Sequence, residues 1–209
     1  MNTLLVDVCD TLFRSNTTFD FMAWHDRDDP TTTQLLRSRH HIWHRLHYRL
    51  TGEDRIRTRV IARLADADAA ILQEQGRQFV QTIEKINETW KLIRTYQNDG
   101  YRVVLLSSSL DCVVRAVAEQ LDADWHASEL GFRDGRCTGV LVRDLLHDKH
   151  SVITDHYATD NTVMLTDNRT DLACAGLVGQ FIAVRARSDE RARKFWQRHG
   201  IRQQLVYDR

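Results

Sequence analysis

Proline is almost absent from this chain, whose 209 residues include one, Pro30. Proline breaks helices because it has no backbone N–H to donate and its ring clashes with the preceding turn. Its scarcity therefore predicts long, uninterrupted helices.

Long apolar runs are also missing. The first apolar stretch, TLLV at residues 3–6, is too short for the apolar region of a signal peptide, and the charged residue Asp7 follows it directly. A membrane-spanning helix needs about 20 consecutive apolar residues, which no segment supplies. We therefore expect neither a secretory signal nor contact with a membrane.

An excess of either charge is lacking, since Lys and Arg together number 29 and Asp and Glu together number 29. General nucleic-acid binders usually carry a basic excess, so this balance argues against that class.

Cysteines are few and lack a C-x-x-C pair: Cys9, Cys112, Cys137 and Cys174. Such spacing predicts free thiols in the reducing cytoplasm rather than a disulfide framework or a zinc site.

The apolar pattern that is present changes along the chain. Residues 3–8 read as a short buried strand, whereas 17–98 show apolar residues at helical spacing. From residue 100 onward, strand and helix patterns alternate, which is typical of a parallel sheet covered on both faces. The sequence thus predicts an α/β core formed by 1–14 and 96–209, with a helical cap inserted at 15–95.

Polar side chains stand at the predicted ends of three strands. Asp7 follows the first strand, Ser107 ends the second core strand, and Asp167 follows TVMLT with Asp171 close behind. Ligands of parallel α/β sheets bind beyond the carboxyl ends of the strands, so we expect these groups to converge, with Lys149 nearby. Carboxylates suit Mg²⁺, and a carboxylate can also attack phosphorus.

The order of four motifs resembles the haloacid dehalogenase superfamily, and more narrowly its phosphoserine phosphatase-like branch. These motifs are DVCDTL at the first strand, LLSSSLD at the second core strand, Lys149, and LTDNRTD at the end of the strand TVMLT. The sequence DGRCTG precedes the lysine. Four motifs in order are fairly specific. The resemblance implies a Rossmann-like core, a C1-type helical cap, and hydrolysis of a small phosphorylated substrate with Mg²⁺.

The resemblance also implies a role for each matching residue. Asp7 would be the nucleophile, Ser107 would bind the transferred phosphoryl group, and Lys149 would steady both. Mg²⁺ would be held by Asp7, the backbone carbonyl of Cys9, and Asp167 with Asp171 nearby. Three further residues are candidates for substrate contacts. Ser108 is the neighbour of Ser107, Arg14 lies just past the first loop, and Asn168 follows Asp167.

One position departs from the family pattern. Cys9 stands where the phosphatases usually have a second Asp, which protonates the leaving group and later activates water. A thiol with a pKa of about 8.5 is a poor general acid, and Asp10 replaces it only if its carboxylate turns inward. Three readings stay open: a phosphatase, a related enzyme with other chemistry, and a weakly active protein that binds an anionic ligand or a protein partner.

The segment RSRHHIWHRLHYRL places His40, His44 and His47 on one helical face, where they could bind a metal. Eight arginines between residues 37 and 63 oppose that reading, because positive charge discourages cation binding. We favour a basic solvated face, or a cap surface that attracts an anionic substrate. The sequence does not set the oligomeric state.

Overall fold

A computed structural model describes residues 2–39, 47 and 50–208. His40 and His44 lie outside these described residues, so the predicted histidine face is not tested. The described helices and strands, in chain order, are β1 (Thr3–Val6), α1 (Thr17–His25), α2 (Pro30–Ser38), α3 (Arg55–Ile61), α4 (Ala69–Thr82), α5 (Asn87–Asn98), β2 (Arg102–Leu110), α6 (Asp111–Leu121), β3 (Asp124–Arg133), β4 (Arg136–Arg143), α7 (Lys149–His156), β5 (Thr162–Thr166), β6 (Gln180–Ala186), α8 (Glu190–Arg198) and β7 (Gln204–Tyr207).

The seven strands form one sheet in the order β4-β3-β2-β1-β5-β6-β7. All neighbouring pairs are parallel except the β3–β4 hairpin, which is antiparallel. The aliphatic residues of β1 and β5 are fully or almost fully buried, as expected for central strands covered by helices on both faces. The predicted α/β fold is therefore confirmed.

The helices are shorter than the scarcity of proline predicted, and the longest among the described residues is α4, with 14 residues. Aspartates start several of them: Asp29, Asp54 and Asp68 each accept a hydrogen bond from a backbone N–H of the helix that follows. These N-caps divide the insertion into separate short helices, and Pro30 adds to one of them as the first residue of α2. Across the described ranges, we find no helix of the length and apolarity that crossing a membrane requires.

The helices between β1 and β2 share a hydrophobic core with the sheet. Phe21, Ile56 and Phe79 of this insertion belong to the same buried cluster as Leu105 of β2 and Val113 of α6. Helix α4 packs along α6, and α5 contacts β2 and β7. The division into a core and a cap at residues 15 and 95 stays a prediction.

The outer edge of β4 is partly covered by the segment that precedes α4. Asp66 N–H donates to the Cys137 carbonyl (2.8 Å), Cys137 N–H donates to the Ala67 carbonyl (2.8 Å), and Ala69 N–H donates to the Gly135 carbonyl (2.9 Å). Farther along the strand, the side chains of Val140 and Val142 are exposed. The insertion therefore supplies hydrogen bonds to the first half of an edge strand.

Candidate functional site

Two of the predicted carboxylates stand side by side because their strands are neighbours. Strands β1 and β5 pair in parallel, with Val6 opposite Leu165, so both end at the same edge of the sheet. Asp7 and Asp167 are the residues that follow these two ends. Asp7 N–H donates to the Leu165 carbonyl (2.9 Å), which extends the ladder to Asp7.

Asp7 is buried, with 2% of its surface exposed, and both of its carboxylate oxygens have partners. Val8 N–H donates to Oδ1 (2.8 Å), and Lys149 Nζ lies 2.9 Å from Oδ2. The ammonium of Lys149 also contacts Asp171 Oδ2 at 2.8 Å. Burial would lower the pKa of Lys149, but Asp171 and Asp7 outweigh it and raise that pKa above its ordinary value. Lys149 is therefore a fixed positive charge between two carboxylates.

Two threonines orient the aspartates. Thr11 Oγ1 donates to Asp167 Oδ1 (3.0 Å) and accepts from Asp167 N–H (2.8 Å), which ties the loop after β1 to the loop after β5. Thr166 Oγ1 donates to Asp171 Oδ2 (2.7 Å) and accepts from Asn168 N–H (3.0 Å). Neither threonine was among the predicted site residues, although they lie within the motifs DVCDTL and LTDNRTD.

Asp167 is a partly buried carboxylate whose ionised form a nearby cation would stabilise. Burial raises its pKa well above the ordinary value, and the negative charges of Asp7 and Asp10 raise it further. Hard oxygen donors with excess negative charge suit Mg²⁺, so Asp7 and Asp167 fit a divalent metal ion. Asp171 is less available, because its Oδ2 is engaged by Lys149 and Thr166. Among residues 2–39, 47 and 50–208, no three His, Cys, Asp or Glu side chains form a metal cluster by themselves.

Cys9 is partly buried, and its thiol donates to the Ser15 carbonyl (3.4 Å). Burial raises the pKa of this thiol well above its ordinary value, and Asp7, Asp10 and Asp167 add to the shift. The sulfur is therefore protonated at neutral pH and is not a thiolate. Asp10 adopts a left-handed backbone conformation (φ 49°) and lines the same cavity as Asp7.

A cavity of about 850 Å³, which we call the Asp7 cavity, opens at this edge of the sheet. The predicted site residues that line it are Asp7, Cys9, Asp10, Ser108, Asp167 and Asn168. The Ser107 hydroxyl is instead buried and donates to Ser109 Oγ (3.1 Å). Arg14 forms an ion pair with Glu84 (2.8 Å) and a hydrogen bond to the Asp208 carbonyl, and it is not one of the lining residues found in the described part of the chain.

Arg57 is a buried residue of the insertion that the sequence analysis did not single out among eight arginines. Its guanidinium donates to Asp144 Oδ2 (2.6 Å), the Ser108 carbonyl (2.8 Å) and Ser128 Oγ (3.1 Å). It thus connects α3 to the Ser108 backbone at the Asp7 cavity. No local sequence pattern distinguishes this arginine from its neighbours, because its partners lie 51 to 87 residues away.

Three further arginines contribute to the wall of the Asp7 cavity, and no sequence pattern indicated them. They are Arg169 in the 3₁₀ turn after β5, Arg185 in β6 and Arg191 in α8. Because β6 is the neighbour of β5, its carboxyl end extends the site along the sheet edge, away from β1.

The fold is similar to several solved structures. A protein of unknown function from Bordetella pertussis Tohama I aligns with 99% of this chain and 97% of its own, at 16% identity and a TM-score of 0.76. A substrate-bound phosphoserine phosphatase aligns with 100% of this chain and 93% of its own, at 18% identity and a TM-score of 0.65. A HAD family hydrolase from Salmonella enterica serovar Typhi aligns with 99% of this chain and 67% of its own, at 18% identity and a TM-score of 0.70.

No curated protein matches the sequence. The sequence profile described as haloacid dehalogenase-like hydrolase matches residues 4–176, a range that includes all four motifs. Its match agrees with the placement of Asp7, Lys149 and Asp167 at one edge of the sheet. The chain therefore belongs to the haloacid dehalogenase-like hydrolase family, and its fold resembles that of the phosphoserine phosphatases.

Proposed function

We propose that this protein is a Mg²⁺-dependent phosphatase of a small phosphorylated metabolite, acting through an aspartyl-phosphate at Asp7. The observation that carries this proposal is the setting of Asp7. It is buried, held by Val8 N–H and the Lys149 ammonium, and next to Asp167 at the mouth of a cavity. Such contacts fix a carboxylate in one orientation, as a nucleophile requires. Four free cysteines support a reducing, cytoplasmic location.

In the proposed reaction, a carboxylate oxygen of Asp7 forms a bond to phosphorus while the ester oxygen leaves with the electron pair of the broken P–O bond. Lys149 balances charge on the attacked phosphoryl group, and Ser108 contributes polar contacts from the cavity wall. Water then attacks the phosphorus of the acyl-phosphate and regenerates the Asp7 carboxylate. Mg²⁺, held by Asp7, Asp167 and the Cys9 carbonyl, would supply positive charge to the phosphoryl oxygens.

Proton transfer is the step that Cys9 complicates. Its protonated thiol donates to the Ser15 carbonyl, and its raised pKa makes it a weak acid toward a leaving alkoxide. Asp10 shares the Asp7 cavity and is the carboxyl group that we assign to protonating the leaving oxygen. A second candidate follows from Cys9: a related enzyme of other chemistry, or a weakly active protein that binds an anionic ligand or partner.

A panel of phosphate monoesters, assayed with Mg²⁺ and with a chelator, tests the leading proposal. We expect Mg²⁺-dependent release of phosphate, no detectable release by Asp7→Asn, and beryllofluoride trapped on Asp7 of the wild type. Hydrolysis that survives in Asp7→Asn for every substrate would overturn the aspartyl-phosphate mechanism.

Cys9→Asp separates the candidates. Restoring a general acid is expected to raise kcat on the order of 10²-fold or more, if proton transfer limits the wild-type phosphatase. Asp10→Asn is the matched variant and should lower kcat by a similar factor if Asp10 protonates the leaving group. A chain in which neither change alters phosphate release, although Asp7 traps beryllofluoride, would favour other chemistry or a binding role.

A further inference from the structure

The Asp7 cavity carries opposite charges in two regions. Carboxylates cluster where β1 and β5 end, as described above. The region next to β6 and α8 carries the three arginines Arg169, Arg185 and Arg191, together with Asp189 and Glu190 at the start of α8. A single cavity of about 850 Å³ connects the two regions, and that volume accommodates a ligand much larger than one phosphoryl group.

Two of these arginines contact neutral groups. Arg185 Nε donates to Gln204 Oε1 (2.7 Å) and its Nη1 donates to the Ala186 carbonyl (3.1 Å), and both acceptors are neutral. The guanidinium of Arg169 lies over the Phe195 ring, 5.1 Å from its centroid. Within the ranges that the structure describes, no carboxylate forms an ion pair with any of the three. Their contacts orient two guanidinium groups without neutralising them.

The carboxylates nearest in sequence are already engaged. Asp189 Oδ1 accepts a hydrogen bond from Ala192 N–H (2.8 Å) at the start of α8, and Glu190 forms an ion pair with Arg193 (2.6 Å). Arg193 lowers the pKa of Glu190, and the charges of Lys194 and Arg185 add to that shift. Arg191 itself lies in the first turn of α8, where the helix dipole disfavours a cation. An anion placed beside Arg191 would offset this repulsion.

We propose that Arg169, Arg185 and Arg191 form an anion subsite that binds a second anionic group on the leaving side of the substrate. The preferred substrates are then phosphate monoesters that also carry a carboxylate or a second phosphate. The inference rests on the proposed phosphatase function and narrows its substrate class. Guanidinium groups bind both anions through paired N–H donors, so the two sources share one chemistry.

Three substrates with the same three-carbon skeleton test the proposal: glycerol 1-phosphate, 3-phosphoglycerate and glycerol 1,3-bisphosphate. We expect kcat/KM for the last two to exceed that for the first by about tenfold or more, since a charge-assisted hydrogen bond contributes about 1.5–3 kcal/mol. Arg169→Gln/Arg191→Gln should remove this preference mainly through KM and leave glycerol 1-phosphate within about twofold. The better of the two favoured substrates identifies the anion.

Arg198→Gln is the matched control, because Arg198 lies in the last turn of α8 and is exposed, and it is not one of the cavity residues. Equal kcat/KM for the three substrates, or an equal loss for all three in the double variant, would overturn the subsite. The proposed function fails separately, if the wild type releases phosphate from no monoester of the panel described above. Calorimetric binding of glycerol 1,3-bisphosphate then decides: binding tighter than glycerol 1-phosphate and weakened in the double variant supports the subsite, and equal binding rejects it.

Discussion

Asp167 makes the stability of the metal-free protein depend on pH. Its pKa in the folded state is raised by burial and by Asp7 and Asp10. Above that raised pKa, the folded protein must hold an ionised carboxylate beside two others, which costs stability. As the pH falls through that value, the folded protein takes up a proton and the cost is relieved.

Asp167→Asn is therefore expected to raise the melting temperature of the chelator-treated protein at pH 8, with a gain in the free energy of unfolding of the order of 1 kcal/mol. The same change should abolish the stabilisation by Mg²⁺, which in the wild type should be larger at pH 8 than at pH 5.5. Differential scanning calorimetry with Mg²⁺ and with EDTA measures both effects. Asp155→Asn, at an exposed position, is the control, and an Asp167→Asn protein that Mg²⁺ still stabilises fully would contradict the assignment.

Arg57 provides a second prediction about a single side chain. Burial would raise the pKa of Asp144, but the hydrogen bond and charge of Arg57 lower it, so this pair stabilises the fold at neutral pH. Arg57→Lys should reduce the free energy of unfolding by about 1–3 kcal/mol. A lysine ammonium cannot reproduce the planar guanidinium geometry that donates hydrogen bonds to three acceptors at once. Urea denaturation at neutral pH measures the loss.

Arg77→Lys is the matched control for Arg57. Arg77 likewise binds a carboxylate of another element, Glu119 of α6, but both side chains are more than 40% exposed. Exposed ion pairs contribute about 0–1 kcal/mol, so this substitution should have little effect. Equal losses of unfolding free energy in Arg57→Lys and Arg77→Lys would show that the buried Arg57 contacts stabilise the fold no more than an exposed ion pair does.

The sequence predicted the residues whose positions depend on strand ends. Asp7 and Asp167 could be paired in advance because each follows an apolar run, and parallel strands end at one edge. Arg57, Arg169 and Arg191 could not, because their places depend on how helices and turns pack over that edge. A basic surface was expected on the insertion, whereas the arginines of the Asp7 cavity come from the segment after β5.

Among the helices, α4 and α6 approach each other unusually closely at Gly76. A Cβ atom at this position would lie 2.8 Å from the Cys112 carbonyl carbon and closer still to its oxygen, which is inside van der Waals distance. Glycine therefore permits this packing, which also fixes the start of α6 next to the Ser107–Ser109 segment.

Gly76→Ala is expected to lower the free energy of unfolding by about 1–3 kcal/mol, because the two backbones must move apart. Gly176→Ala is the control, since a Cβ there meets no atom within 4 Å and its backbone is not left-handed. Thermal melts of both variants give the comparison. An alanine at Gly76 that stabilises the protein, as alanine does in an ordinary helix, would refute the close contact.

Two elements differ from the sequence predictions for local reasons. The alternation of strands and helices predicts a helix between β5 and β6, but only Arg169–Cys174 is helical there, in 3₁₀ form. Asn168 caps this turn through Thr170 N–H, and the Asp171 side chain is held by Lys149 and Thr166. Strand β7 was not predicted, because four residues at the end of the chain give too short a pattern to distinguish from a loop.

The shared hydrophobic core predicts how the whole molecule unfolds. Insertion residues such as Phe21 and Phe79 pack in the same buried cluster as Leu105 and Val113, so loss of the insertion exposes the sheet. We expect a single thermal transition, with coincident midpoints for far-ultraviolet circular dichroism and tryptophan fluorescence. Trp24 reports on the insertion and Trp196 on the sheet. Separate midpoints for single-tryptophan variants retaining one or the other would contradict a common core.

The hydrogen bonds that join Asp66, Ala67 and Ala69 with the outer edge of β4 affect any attempt to exchange parts among relatives. An unprotected edge strand offers its free N–H and C=O groups to other chains and promotes aggregation. A chimera that receives a foreign insertion must therefore reproduce this short backbone pairing. In this protein, the insertion also occupies backbone groups at the start of β4 that could otherwise pair with a strand of another molecule.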